Sequence, residues 1–207
     1  MLQYITNTDC QTPVIDQVMA VIDGGCRWIQ VRMKDASDDE IRTVVEAIKP
    51  RCIETQSFLI LNDRVELAKK LDVGGVHLGK DDMPCSQARM ILGPAAVIGV
   101  TANTIEDIEK VKSLDIDYIG IGPFAHTTTK KRLAPVLGLE GIREICRQMN
   151  ERGIELPHVA VGGIRLEDID ALLEAGVNGA AVSGAIANAP DIREATRLFI
   201  DKMPVGE

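Results

Sequence analysis

The sequence repeats one short pattern four times: DGGCRWIQV at residues 23–31, LDVGGVHL at 71–78, LDIDYIGI at 114–121 and AGVNGAAV at 175–182. Each copy runs from the end of an apolar helical segment, through Gly or Asp, into a short apolar strand. Counted along the chain, the four strands are the second, fourth, sixth and eighth. A sequence repeat on alternate strands is what a closed ring of paired βα units would give.

Short β-rich runs alternate with longer amphipathic segments along the whole chain, without a Pro/Ser-rich linker. The predicted strands are Leu2 to Thr6, Trp28 to Met33, Phe58 to Leu61, Val76 to Leu78, Val97 to Val100, Tyr118 to Ile121, Val159 to Val161 and Ala180 to Val182. This order predicts an α/β fold, a single-domain (β/α)8 TIM barrel over residues 1–207. An open, doubly wound sheet stays the alternative, because periodicity alone cannot show closure.

Composition limits the classes of partner. The chain has 207 residues, a net charge of -8 and a pI near 5.0, so it lacks the basic face that nucleic acid requires. Five cysteines, odd in number and without a C-x-x-C motif, are typical of reduced thiols. No apolar run approaches the ~18 residues of a membrane span. We therefore expect a cytoplasmic protein without nucleic-acid or membrane partners, in which any anion site is local.

Polar side chains alternate at the end of the second strand. Gln30, Arg32 and Lys34 share one side, whereas Val31 and Met33 suit the side that faces the helices. In a TIM barrel, the carboxyl ends of the strands form the active face. Two cations directed into the barrel mouth need an anionic partner, and an internal salt bridge is the alternative to a ligand.

Carboxylates follow the next two strands. Asn62 and Asp63 end the third strand, and Asp82 follows the fourth. Asp63 could instead cap its helix, and Asp82 could be solvated. Together beside Arg32 and Lys34, the two carboxylates would suit Mg²⁺ bridging a diphosphate.

Small and hydroxyl residues follow the later strands. Gly162-Gly163 and Ser183-Gly184 follow strands seven and eight, where backbone N–H groups often hold phosphate in these barrels. The loop after strand six, 121–131, combines a Gly-Pro turn with three threonines and two lysines, which favours a second anion contact. Thr101 ends strand five, where its hydroxyl could position a polar ring or merely precede a helix.

With these sites placed, the chain resembles the thiamine-phosphate synthase family over nearly its whole length. The motifs that carry the resemblance are Gln30-x-Arg32-x-Lys34, Asn62-Asp63, Gly75-Val76-His77-Leu78-Gly79-x-x-Asp82, Gly99-Val100-Thr101, Gly122-Pro123 with Thr127-x-Thr129-Lys130-Lys131, Gly162-Gly163 and Ser183-Gly184-Ala185-Ile186. Their order and spacing make a chance match improbable.

The resemblance implies an enzyme that joins two small phosphorylated substrates. The family condenses 4-amino-5-hydroxymethyl-2-methylpyrimidine diphosphate with 4-methyl-5-(2-phosphoethyl)-thiazole, or its carboxylate, and releases pyrophosphate. By this resemblance Asp63 and Asp82 would hold Mg²⁺. The pyrimidine diphosphate would contact Gln30, Arg32, Lys34, Asn62, Thr101 and Lys130, of which Arg32, Lys34 and Lys130 would act catalytically by neutralising charge. The thiazole phosphate would contact Thr127, Thr129, Gly163, Ser183 and Gly184.

The chain departs from the family pattern in a few places. Met33 stands where an acidic residue is usual, Thr101 replaces a serine, and Gly184 also replaces a serine. Arg64 follows Asn62-Asp63 where the family has a further carboxylate, which raises the question of a weakened metal site. His126 and Lys131 receive no role.

Other functions remain open on the sequence. A related thiazole tautomerase shares the barrel and the phosphate-binding loops, but has a histidine where Pro123 stands and lacks the metal-binding carboxylates. A barrel that binds a phosphorylated ligand without catalysis is a second alternative. A sugar-phosphate isomerase would need carboxylate or metal-bound histidine sets that the sequence does not show. Whether copies form a homo-oligomer, which thiazole form is preferred and how the loop moves are not decided.

Overall fold

The eight predicted strands form a closed parallel barrel in the computed structural model, which describes residues 1–126 and 135–204. The strands are β1 Leu2–Ile5, β2 Trp28–Val31, β3 Phe58–Asn62, β4 Gly75–Leu78, β5 Val97–Ala102, β6 Tyr118–Ile121, β7 His158–Val161 and β8 Gly179–Val182. Each strand pairs with the next, and β8 pairs with β1 in the register Gln3 to Ala181. The TIM-barrel prediction is confirmed, and the closing pair excludes the open sheet.

Helices follow the strands and surround the barrel. They are α1 Val14–Asp23, α2 Asp38–Glu54, α3 Val65–Leu71, α4 Cys85–Leu92, α5 Ile105–Val111, α6 Gly138–Glu151, α7 Ile169–Glu174 after a 3-10 turn at Leu166–Asp168, α8 Gly184–Ala187 and α9 Ile192–Lys202. A capping box of Ser37 and Glu40 is present at the start of α2. Because parallel strands and following helices share one direction, all strand ends deliver their loops to the same face.

Apolar side chains fill two layers. Most buried residues lie between the barrel and its helices, as Val18 and Ile22 of α1 do. A smaller cluster of Ile60, Tyr118 and Val159 belongs to the inward-facing positions of the strands. Below its mouth the barrel is therefore a packed core, and within residues 1–126 and 135–204 the room for a ligand lies at the carboxyl ends of the strands.

The second strand is shorter than predicted. It ends at Val31 rather than Met33, because the backbone N–H of Arg32 donates to the hydroxyl of Thr6 at 2.8 Å instead of continuing the ladder. Arg32 and Lys34 consequently lie on the loop after β2.

All five cysteines are free thiols, and only Cys10 is partly exposed. Within residues 1–126 and 135–204, no helix has the length and apolar character needed to cross a membrane.

Candidate active site

A cavity of about 370 Å³ opens at the carboxyl ends of the strands. Every predicted site residue in the described part of the chain lines it: Gln30, Arg32, Lys34, Asn62, Asp63, Asp82, Thr101, Gly163, Ser183 and Gly184. Thr127, Thr129, Lys130 and Lys131 lie outside the described residues. The structure thus brings the predicted residues of six different strand ends to one place.

An acidic pair forms one wall of the cavity. The carboxyl groups of Asp63 and Asp82 share a hydrogen bond, and Asp82 also accepts the backbone N–H of Gly79 at 2.6 Å. Lys34 Nζ lies 2.9 Å from Asp63 Oδ2. Asp63 has a left-handed backbone, with φ of 65°, and its side chain makes no cap to α3. The helix-cap alternative for Asp63 is therefore wrong.

The shared hydrogen bond separates the pKa values of the two acids. Burial favours the protonated form of Asp63, but the hydrogen bond from Asp82 and the charge of Lys34 outweigh it, so the pKa of Asp63 is lowered. Burial, together with the same hydrogen bond, raises the pKa of Asp82 above its ordinary value. The two acids therefore titrate as a pair, and as the pH rises Asp63 loses its proton before Asp82 does.

Cations stand beside this pair. Burial lowers the pKa of the half-buried Arg32, and the carboxylates of Asp63, Asp9 and Asp35 oppose that shift. A guanidinium and an ammonium close to two carboxylates create a site of mixed charge rather than a plain basic patch. Such a site can take an anion together with a divalent cation.

The donor set of the acidic pair fits Mg²⁺. Mg²⁺ is usually held by one or two carboxylates plus water and substrate phosphate oxygens, rather than by a full protein cage. The described residues contain no group of three or more His, Cys, Asp or Glu arranged for a metal. Asp63 and Asp82, in hydrogen-bond contact, could supply the one or two carboxylates that Mg²⁺ takes from a protein.

Arg64 turns away from the acidic pair. Its Nε lies 3.4 Å from Asp38 Oδ1, and its Nη2 points toward the carbonyl of Ala36 at 3.4 Å. The guanidinium charge is thus matched at the start of α2. Arg64 also contacts the loop that carries Lys34. The weakened metal affinity that the sequence raises stays a prediction.

The floor of the cavity is polar. Gln30 Nε2 donates to Gln3 Oε1 at 3.0 Å, and Gln3 Nε2 donates to the Tyr118 hydroxyl at 3.0 Å. His77 bonds Tyr118 through Nδ1 at 2.8 Å and Thr101 through Nε2 at 2.9 Å. His77 is packed inside the barrel in this way and also lines the cavity. His158 begins β7 and therefore lies at the opposite end of the barrel.

The glycines after β7 approach another loop closely. Gly163 has a φ of 69°, and a Cβ there would lie 2.8 Å from the carbonyl oxygen of His126. Gly162 accepts the N–H of Ala125 at 2.9 Å. Only glycine satisfies both the backbone angle and the close approach. The beginning of the loop after β6 is thereby fixed beside the predicted phosphate site.

The far end of the same loop is fixed as well. Leu137 N donates to Pro123 O at 2.9 Å, and Gly138 N donates to Phe124 O at 2.9 Å. The described residues on either side of 127–134 therefore lie close together beside the cavity lining at Pro123 and His126.

Sequence reasoning missed other cavity residues, among them Asn7, Asn188 and Arg165. Asn7 follows β1 and could have been found by the same strand-end rule as Asn62. Asn188 lies four residues after Gly184, and its side chain donates to Gly184 O at 3.0 Å, a helical spacing that could have identified it. No local signal marks Arg165, because its place depends on the turn at Gly162-Gly163.

Comparisons with known proteins point in one direction. The sequence model of the family described as thiamine monophosphate synthase matches residues 2–186. A thiamine-phosphate synthase of Bacteroides fragilis is 53% identical over 200 residues, covering 97% of this chain and 98% of the relative. The corresponding protein of Bacteroides thetaiotaomicron is 52% identical, covering 97% and 96%. A solved thiamine phosphate pyrophosphorylase of Pyrococcus furiosus has a TM-score of 0.85 at 31% identity, covering 97% of this chain and 94% of its own.

Proposed function

The chain belongs to the thiamine monophosphate synthase family and is a transferase of thiamine biosynthesis, and we propose that its cavity joins the two substrates as follows. The pyrimidine diphosphate binds with its diphosphate against the mixed charges of Arg32, Lys34 and the acidic pair. The thiazole phosphate binds on the opposite side, near Gly163 and Ser183. The single catalytic domain of residues 1–207 would thus hold both reactants in one cavity.

The reaction needs charge neutralisation rather than an acid or a base. The bond between the pyrimidine methylene carbon and the diphosphate oxygen breaks, and its electron pair leaves with pyrophosphate. The thiazole nitrogen then donates its lone pair to the resulting pyrimidine-methyl cation. No proton has to be transferred in either step. The residues at the strand ends fit this requirement, because they are cations, carboxylates that suit a metal ion and small hydrogen-bonding groups.

The contacts at the acidic wall carry this proposal. Lys34 Nζ at 2.9 Å from Asp63 and the hydrogen bond between Asp63 and Asp82 create a place for a cation–diphosphate pair. When bound by Asp63 and Asp82, Mg²⁺ supplies Lewis-acid stabilisation of the leaving diphosphate. Arg32 and Lys34 supply further positive charge, and Asn62 supplies an amide at the same strand end. Lys130 belongs to this set on sequence grounds.

The opposite wall suits the thiazole phosphate. Ser183 and Gly184 begin α8, and Gly163 lies across from them in the cavity lining. Thr127 and Thr129 would complete this set, because the described ends of their loop meet beside Gly162 and Gly163. The thiazole nitrogen would then face the methylene carbon across the cavity.

Thiazole tautomerase activity receives less support. That relative lacks the metal carboxylates, whereas Asp63 and Asp82 here line the cavity in direct contact. A phosphate-binding barrel without catalysis would have no use for the same pair. His126 lines the cavity but is exposed and has no assigned part.

The proposal is tested by incubating the purified protein with both substrates and Mg²⁺ and measuring thiamine phosphate and pyrophosphate. We expect equal amounts of both products, and a loss of about 100-fold or more in Asp63→Ala. Absence of thiamine phosphate with the wild type would contradict the proposal. Metal-independent isomerisation of the thiazole carboxylate would instead assign the tautomerase activity.

The same proposal places the enzyme in the cytoplasm, where five free thiols would stay reduced. Fractionation of cells that produce the protein checks the location. Size-exclusion chromatography decides whether copies associate into a homo-oligomer.

A further inference from the structure

A small space lies beside Gly184 in the lining of the cavity. Apart from the neighbouring backbone, a Cβ on Gly184 would find two described atoms within 4 Å, Asn188 Nδ2 at 3.4 Å and Asn7 Nδ2 at 3.7 Å. Both are side-chain amide nitrogens, and both asparagines line the same cavity. Gly184 does not have a positive φ, and neither distance is a clash, so the fold itself would accept alanine at this position. The space is therefore left open to a ligand rather than closed by the chain.

Backbone partners fix the orientation of both amides. Asn7 Oδ1 accepts the backbone N–H of Asp9 at 2.8 Å, and a backbone N–H can only donate. Asn188 Nδ2 donates to the backbone carbonyl of Gly184 at 3.0 Å, and a carbonyl can only accept. Exchanging nitrogen and oxygen in either side chain would place two donors or two acceptors against each other. Nitrogen, and not oxygen, therefore faces the space beside Gly184 in both residues.

Asn7 is held in place by the interior of the protein. The residue is 5% exposed, and its backbone N–H and carbonyl both bond the side-chain amide of Gln17, at 3.0 and 2.7 Å. Gln17 is fully buried on α1 and also accepts the hydroxyl of Tyr4 at 2.6 Å. Within residues 1–126 and 135–204, Asn7 Nδ2 donates to no acceptor. A donor on a buried side chain that faces a cavity without a protein acceptor points to an acceptor on the ligand.

The group that suits this space is a phosphate. Asn7 and Asn188 offer amide N–H groups there, and the hydroxyl of the adjacent Ser183 can donate as well. A phosphate monoester presents several oxygens that accept hydrogen bonds, and its charge strengthens each of them. Asn7 follows β1, whereas Asn188 follows α8, so the two amides would hold the phosphate from different elements of the fold.

We propose that Asn7 and Asn188 each donate a hydrogen bond to the phosphate of the thiazole substrate in the space beside Gly184. The inference rests on the proposed function, because it takes this phosphate to lie at Ser183 and Gly184. Each amide keeps an N–H for the ligand, since Asn188 uses one on Gly184 and Asn7 uses none. The corresponding thiazole alcohol lacks the phosphate oxygens, so its binding does not depend on the two amides.

The test measures the Kd of the thiazole phosphate and the Kd of the thiazole alcohol by titration calorimetry. In Asn7→Asp, the new carboxylate can still accept the N–H of Asp9, but it replaces the donor by a negative charge. We expect the Kd of the phosphate to rise by about 100-fold, because a hydrogen bond to a charged group is lost and a repulsion is added. Asn188→Ala should raise it by about 10-fold. The Kd of the alcohol should stay unchanged in both variants.

The matched control is Asn178→Asp, which adds the same charge at the opposite end of the barrel, before β8. Asn178 Oδ1 accepts the backbone N–H of His158 at 2.8 Å, as Asn7 Oδ1 accepts that of Asp9. The Kd of the phosphate should equal that of the wild type in this control. Equal values in Asn7→Asp and Asn178→Asp would overturn the inference, and so would an equal loss of affinity for the phosphate and the alcohol in Asn7→Asp.

Gly184→Ala tests the same space if Asn7→Asp does not fold. The added methyl group meets only ordinary contacts in the protein, so the melting temperature should stay close to that of the wild type. Because the methyl group occupies the space between the two amides, the Kd of the phosphate should rise by about 10-fold or more. An unchanged Kd would overturn the inference. If the wild type binds the thiazole phosphate but forms no thiamine phosphate, the proposed function fails, whereas the Kd values still decide the role of Asn7 and Asn188.

Discussion

At the scale of single residues, the pKa values of the acidic pair shift in opposite directions, down for Asp63 and up for Asp82. The pKa of Asp82 is raised because the group is partly buried and shares a hydrogen bond with Asp63. Between the unfolded and folded pKa values of Asp82, the folded state binds more protons than the unfolded state. The contribution of Asp82 to stability therefore falls as the pH rises through that window, and at neutral pH the ionised group opposes folding in the absence of metal.

Asp82→Asn should consequently raise the melting temperature at pH 7 in chelator-treated buffer, while enzyme activity falls. At a pH below the ordinary carboxyl pKa, the variant and the wild type should converge, because Asp82 is then protonated in both states. Thermal unfolding at both pH values measures this. A variant that is less stable than the wild type at pH 7 would contradict the electrostatic account.

Gly163 provides a second prediction for a single residue. Gly163→Ala introduces a side chain at a φ of 69° and 2.8 Å from the His126 carbonyl oxygen. Gly153 has a φ of 62° but nothing within 4 Å, so Gly153→Ala isolates the cost of the backbone angle. We expect about 1 kcal/mol for Gly153→Ala and about 2–3 kcal/mol for Gly163→Ala.

Steady-state kinetics separates the roles of these two glycines. KM for the thiazole phosphate should rise in Gly163→Ala and stay unchanged in Gly153→Ala. Equal unfolding free energies in denaturant titrations would show that the close approach to His126 has no energetic effect.

At the scale of elements, α2 and the loop before it position a substrate contact. The capping box of Ser37 and Glu40 fixes the start of α2, and Arg64 ties the same loop to the region after β3. Lys34 lies on this loop. A secondary-structure signal that was readable in the sequence therefore also determines where a proposed catalytic ammonium group stands.

Ser37→Ala should lower the free energy of unfolding by about 1 kcal/mol and raise KM for the pyrimidine diphosphate. Asp191→Ala is the matched control, because Asp191 caps α9 by accepting the N–H of Glu194 at 2.9 Å, and its loop carries no proposed diphosphate contact. It should lose similar stability and keep the KM. An increase of that KM in both variants would mean that the effect is global.

The ends of helices and strands were predictable where residues close in sequence determine them. They were less predictable where a hydrogen bond from a neighbouring strand determines them. The box at Ser37 was visible as a spacing of polar residues. The end of β2 was not, because the hydroxyl of Thr6, twenty-six positions away, takes the N–H of Arg32. The hydrogen bonds that connect Gln30 to Thr101 across the cavity floor could not be predicted from the sequence either, since the residues that make them lie on five different strands.

At the scale of the whole molecule, closure of the barrel joins the first strand to the last. Periodicity predicted βα units but not this pair, because closure is a property of all the strands together. The prediction of a shared active site nevertheless depended on closure of the barrel. Asp63, Thr101 and Ser183 share a cavity only because all eight strand ends form one rim.

Closure can be tested with a matched pair of glycines. A Cβ on Gly179 would lie 1.9 Å from the carbonyl oxygen of Met1, and a Cβ on Gly75 would lie 1.9 Å from that of Val97. The first clash is at the closing strand pair, and the second is within the sheet. Gly179→Ala and Gly75→Ala should therefore lower the unfolding free energy similarly, by about 3 kcal/mol. If Gly179→Ala is tolerated and Gly75→Ala is not, the β1–β8 pair is a weak edge.

We propose that Asp63 and Asp82 hold the Mg²⁺ that assists departure of pyrophosphate. The most direct measurement is the rate of thiamine phosphate formation as a function of Mg²⁺ concentration in the wild type, Asp82→Asn and Asp81→Asn. Asp81 is adjacent but exposed and absent from the cavity lining, so its variant controls for net charge. We expect Asp81→Asn to follow the wild type, and Asp82→Asn to lose about 100-fold in rate and to need more Mg²⁺. Equal Mg²⁺ dependence in all three proteins would contradict the assignment of Asp82 as a Mg²⁺ ligand.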